Sequence, residues 1–130
     1  MRLSNKYVFL ISFFILISCN QQNEIERTLT CSKNEYWSYK DNLGVYGIYF
    51  QFHADGTYDK YNRYPDGFAL FNNDTDVISV ERNWHIQGDT LLKWDSMTYK
   101  IEKTSRSQIV LSQELKEHPK RIVTLTKIKD

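Results

Sequence analysis

From Tyr36 to the end of the chain, apolar and aromatic residues recur with a period of two, and no stretch carries a convincing 3.6-residue period. That feature restricts the fold to strands, because side chains at i, i+2 and i+4 share a face only in extended backbone. The clearest run is 45–53, where Tyr46, Ile48, Phe50 and Phe52 point one way and Tyr49, Gln51 and His53 the other. Asp55-Gly56 follows, then Thr57-Tyr58-Asp59-Lys60-Tyr61. An Asp-Gly pair between two aromatic, β-rich runs is a strong hairpin signal. A second hairpin puts Ile78, Val80, Trp84 and Ile86 of 77–87 on one face, with Arg82 interrupting. It turns at Gly88-Asp89 and returns through Thr90-Leu91-Leu92-Lys93-Trp94.

Met97, Tyr99 and Ile101 then alternate with Thr98, Lys100 and Glu102, and 104–107 supplies another turn. Strands at 108–113 and 121–129 finish the chain, with Pro119 outside both, where its missing N–H does no harm. With 36–40 as the opening strand, the reading is all-β: about eight antiparallel strands in an up-and-down barrel, joined mostly by short connections. Eight strands close around a side-chain-filled interior or one small ligand. The one long connection, 65–76, contains Pro-Asp-Gly and Asn-Asn-Asp-Thr-Asp and reads as a lid or solvated tip.

The first residues read as an address. Arg2 and Lys6 precede a run from Tyr7 to Ile17 that, at roughly 11 residues, is too short to span a ~30 Å hydrocarbon core. This is the pattern of a secretory signal peptide, 1–18, to be set apart from the fold. Leu16-Ile17-Ser18-Cys19 resembles a bacterial lipobox, which implies cleavage before Cys19 and acylation of its thiol with palmitate-type chains. Several chains at about 0.8 kcal/mol per buried CH₂ would hold the protein on a bilayer surface. Asn20 rather than Asp follows that Cys, which by the same resemblance points to the outer membrane of a bacterial cell envelope.

Loss of Arg2 and Lys6 from 17 Lys+Arg leaves 15 basic against 16 acidic side chains, so nothing suggests neutralisation of a nucleic-acid backbone. Of the two cysteines, Cys31 would then stand alone, as a small, partly buried residue. Residues 19–35 form the lipidated N-terminus and a polar tether, in which Ile25 and Leu29, four apart, permit one short helical turn. The domain proper is 36–130.

Four segments in order resemble the lipocalin-like domain of small bacterial lipoproteins. They are Tyr36-Trp37-Ser38-Tyr39-Lys40-Asp41, Tyr49-Phe50-Gln51-Phe52-His53-Ala54-Asp55-Gly56-Thr57-Tyr58, Asn83-Trp84-His85-Ile86-Gln87-Gly88-Asp89-Thr90-Leu91 and Tyr99-Lys100-Ile101. The resemblance implies a membrane-anchored barrel and brings no catalytic residues, and a fold by itself does not fix function.

No nucleophile elbow, zincin helix, phosphate loop, dinucleotide fingerprint or Cys-x-x-Cys pair is present, so no enzyme, metal or cofactor is expected. Glu81 and His85 lie about 13 Å apart along a strand, too far for one metal. His53 and His85 fall on strands that a simple meander does not place side by side, and Asn72–Asp76 lacks the Gly and distant Glu of a calcium loop. The aromatics are the functional clue: Tyr46, Phe50, Phe52, Trp84, Trp94 and Tyr99, with Arg82, either line a cup for a small apolar or amphipathic ligand or fill the core. Two readings follow: a carrier that uses those residues, or an envelope interaction module, an inhibitor or assembly factor, whose interior is full.

Overall fold

A computed structural model describes residues 24–71 and 82–130. The signal segment, Cys19, residues 20–23 and the stretch holding Asn72–Asp76, Ile78, Val80 and Glu81 lie outside the described residues.

The described chain folds as one short helical turn, 24–29, followed by nine antiparallel strands. They are β1 (Glu35–Asp41), β2 (Tyr46–Phe52), β3 (Tyr58–Tyr64), β4 (Gly67–Leu70), β5 (Trp84–Gln87), β6 (Leu91–Trp94), β7 (Met97–Thr104), β8 (Gln108–Gln113) and β9 (Arg121–Lys129). The sheet order is β4-β3-β2-β1-β9-β8-β7-β6-β5, so two meanders are joined where β9 returns to β1. The sheet curls into an open half-barrel. Among the described residues its outer edges β4 and β5 are not paired with each other.

The count is nine rather than about eight because the long connection is not all loop. Pro65-Asp66 turns the chain, and Gly67, at φ +131°, starts β4, which pairs Arg63 with Phe68 and Tyr61 with Leu70.

The concave face carries the core: Trp37, Phe50, Phe52, Tyr58, Trp84, Ile86, Leu92, Trp94, Tyr99, Ile109, Leu111, Val123 and Leu125 are all buried there. The two inner-face alternations read from the sequence, Phe50/Phe52 and Trp84/Ile86, therefore point inward. Tyr46 does not. Tyr39 pairs with Ile48 while its neighbour Lys40 pairs with Tyr46, leaving Gly47 as an extra residue at φ +77°. Such a bulge shifts the alternation by one, and Tyr46 ends 77 % exposed on the other side.

One end of the half-barrel is covered. Leu29 of the helical turn belongs to the same buried cluster as Trp37 and Phe52 and is fully buried, and Ile25 packs against that cluster. The Trp37 indole N–H donates to the Leu29 carbonyl at 2.8 Å, and the Cys31 N–H donates to the Phe52 carbonyl at 3.1 Å. Lys127 closes this end, its Nζ donating to the Thr28 carbonyl at 3.0 Å and lying 4.9 Å from the Trp37 ring centroid. Six residues are too few for a stable isolated helix, so the turn is held by this docking.

The two halves also touch at one seam. Thr57 bridges Asn83, the Trp84 N–H donates to the Gly56 carbonyl at 2.9 Å, and the Trp84 indole N–H donates to the carbonyls of His53 and Thr57 at 3.0 and 2.9 Å. The start of β5 is thus brought against the β2–β3 turn, which His53 opens, while β2 and β5 are not neighbours in the sheet. Gly56, at φ +89°, allows the turn to lie this close.

Candidate functional site

At the end opposite the helical turn the concave face is not filled. A cup of about 230 Å³ is lined by Tyr39, Ile48, Phe50, Tyr58, Trp94, Met97 and Tyr99, with Asp41, Lys60, Asp95 and Arg121 among them. β1 and β9 bring Asp41 and Arg121 together, since Asp41 pairs with Val123 and Arg121 lies two residues before it on the same face. β2 and β3 supply Phe50 and Lys60 as directly paired neighbours. β6 and β7 supply Trp94 paired with Met97, and Tyr99 two residues on. The aromatic walls lock edge to face: Phe50 and Trp94 at 4.8 Å, Tyr58 and Trp94 at 5.8 Å, and Tyr39 and Phe50 at 5.9 Å between centroids.

Two carboxylates anchor the Tyr39 and Tyr58 hydroxyls of this wall, while the Tyr99 hydroxyl donates to Met97 Sδ at 3.5 Å. Asp41, its side chain almost wholly buried, accepts the Tyr39 hydroxyl at 2.9 Å and the backbone N–H groups of Leu43 and Val45 at 2.9 and 3.0 Å. Burial raises its pKa, but the Val45 N–H, the Tyr39 hydroxyl, the Leu43 N–H and nearby Arg121 together hold it below the ordinary aspartate value of 3.8. Asp95, at φ +54° in the β6–β7 turn, accepts the Tyr58 hydroxyl at 2.6 Å and the Asn83 N–H at 3.2 Å, which ties β3 across the seam. Burial first, and these carboxylates second, push the Tyr39 and Tyr58 phenols well above their ordinary value, so both stay protonated.

The cations are less fully engaged. Arg121 Nη1 donates to Gln113 Oε1 at 3.0 Å, and Arg121 Nε lies 3.9 Å from Asp41 Oδ2. That Nε is buried and has no hydrogen-bond partner among the described residues. Lys60 Nζ lies 4.4 Å from the Phe71 ring centroid, and burial followed by the charge of Arg82 lowers its pKa.

Of the residues singled out from the sequence, Phe50, Trp94 and Tyr99 line the cup. Phe52 and Trp84 are buried in the core and do not line it. Tyr46 faces away, for the reason given by the Gly47 bulge. Arg82 is half-buried at the seam, its carbonyl accepting the Tyr58 N–H at 3.3 Å and its charge felt at Lys60 and Tyr58. Tyr39, Tyr58, Lys60 and Arg121 were missed. For Lys60 and Tyr58 the signal was present, because the Asp55-Gly56 hairpin puts both on the face of Phe50 and Phe52. Cys31 is partly buried, and burial pushes its thiol up to about 11, an unreactive state.

A second aromatic group lies on the convex face. Tyr36 stacks on Phe68 at 3.8 Å, Tyr49 and Tyr61 meet the pair edge-on, and buried Gln51 accepts the Tyr61 hydroxyl while donating to the carbonyls of Lys33 and Glu35. Scans against protein-family models, curated proteins and solved structures gave no match to this chain.

Proposed function

We propose that this protein is a membrane-anchored, non-enzymatic lipoprotein whose lipocalin-like half-barrel binds a small amphipathic molecule. The cup carries the reading. It combines an apolar aromatic wall with a few convergent polar groups, the usual make-up of a small-molecule site. The lipobox-like Leu16-Ile17-Ser18-Cys19 supports an acyl anchor on Cys19 in a bacterial envelope, and Asn20 favours the outer membrane.

One observation favours an interaction module instead. Tyr64 and Leu70, about half exposed, sit on the β3–β4 edge beside the convex aromatic stack. Exposed apolar side chains on an edge strand suit a protein partner.

Native mass spectrometry of the full chain, purified from membranes in mild detergent, separates the two. The binding reading expects an added mass that vanishes on denaturation and is lost in Phe50→Ala. A bare chain, still bare after incubation with an envelope extract, overturns it. A co-purifying protein lost on Leu70→Asp would establish the alternative.

A further inference from the structure

We infer that the cup selects a small organic anion: an acid of one or two rings whose carboxylate meets Arg121 and Lys60 while its ring lies against Phe50, Trp94 and Met97. This rests on the binding reading above and specifies its ligand class.

The hydrogen-bond inventory of the cup is lopsided. Its carboxylates are already engaged: Asp41 holds one hydroxyl and two backbone N–H groups, and Asp95 holds one hydroxyl and one backbone N–H. Tyr39 and Tyr58 spend their only O–H on those carboxylates. The donors are in surplus. Arg121 donates to Gln113 through Nη1, lies 3.9 Å from Asp41 through its buried Nε and interacts with the Tyr99 hydroxyl, which leaves part of its five N–H groups without a bond among the described residues. Lys60 Nζ, with three N–H groups, makes a cation–π contact but no hydrogen bond among the described residues. A guest that brings acceptors and a negative charge completes this site.

Shape narrows the class further. The two cations come from different walls, Arg121 from β9 and Lys60 from β3, with the rings of Phe50 and Trp94 also lining the space. At about 230 Å³ the cup falls below the roughly 300–1,000 Å³ of ordinary drug-sized sites. It suits a compact ring with a short acidic arm and is too small for a long-chain lipid.

The test is calorimetric titration of the full chain in detergent with indole-3-acetate and with its uncharged analogue indole-3-acetamide. The acid is expected to bind about tenfold tighter than the amide, the difference a charge-assisted pairing supplies. Arg121→Gln is expected to erase that preference, Arg121→Lys to restore part of it, and Lys60→Met to reduce it. Lys60 is only partly buried, so Lys60→Met keeps the test decisive should an Arg121 variant fail to fold, as a thermal melt would report.

Equal binding of acid and amide, no binding of either, or a preference unchanged in both Arg121→Gln and Lys60→Met overturns the inference. An added mass retained in native spectra would then leave the binding reading standing. A bare mass would remove both.

Discussion

The two ends of the half-barrel use the same raw material, aromatic side chains on a concave sheet, to opposite effect. At the covered end Trp37 and Phe52 are fully buried, the Trp37 indole N–H has a backbone carbonyl, and Leu29 fills the remaining space. At the cup end interlocked rings border about 230 Å³, the Tyr39 and Tyr58 hydroxyls are tied to Asp41 and Asp95, and two cations lie among them. A small all-β domain cannot leave its whole interior open, because the packed apolar area is what offsets the entropy of ordering the chain. Filling one end supplies that stability, and the other end is free to hold polar chemistry that a pure core would not tolerate.

The largest way to break this comparison is Trp37→Ala. Loss of a fully buried indole and of its bond to the helical turn is expected to cost about 3–5 kcal/mol, read as a lower guanidinium midpoint. Trp84→Phe keeps a ring but strips the donor shared by the carbonyls of His53 and Thr57, an expected cost of about 1–3 kcal/mol at the seam. A loss near zero in either case would mean that the covered end and seam do not hold the fold.

Acid sharpens the contrast at the other end. Asp41 ionises below its ordinary 3.8 in the folded protein, so the stability it contributes is complete above about pH 4 and is lost as pH falls through its folded value. The urea midpoint of the wild type is expected to drop more steeply than that of Asp41→Asn between about pH 5 and pH 3. Parallel profiles would contradict the role given to this carboxylate. The smallest effect is expected from Lys60→Met. It removes a cation that burial and Arg82 already disfavour, so stability should stay within about 0.5 kcal/mol while anion binding weakens.

The covered end was the more legible of the two in the sequence. Ile25 and Leu29 announced the helical turn, and the Asp55-Gly56 and Gly88-Asp89 turns announced the hairpins that carry Phe52 and Trp84. Two local errors had physical causes. Alternation through Gly47 carried Tyr46 inward, although a Gly inside a strand marks a bulge. Reading 65–76 as one long connection hides the Pro65-Asp66-Gly67 turn, and with it β4 and the Tyr36–Phe68 stack. The cup was legible only in part. Phe50, Trp94 and Tyr99 follow from hairpin register, and an up-and-down barrel already pairs its last strand with its first, but no local pattern encodes the register that sets Arg121 beside Asp41 across some 80 residues.

The most direct test of the division between the two ends is a ¹⁵N–¹H correlation spectrum of the three Trp indole N–H groups, recorded as indole-3-acetate is added to the labelled chain. The Trp94 resonance should move with ligand, while those of Trp37 and Trp84, bonded to backbone carbonyls in the packed interior, stay in place. Movement of Trp37 or Trp84 with Trp94 unchanged would place the guest elsewhere and contradict the account.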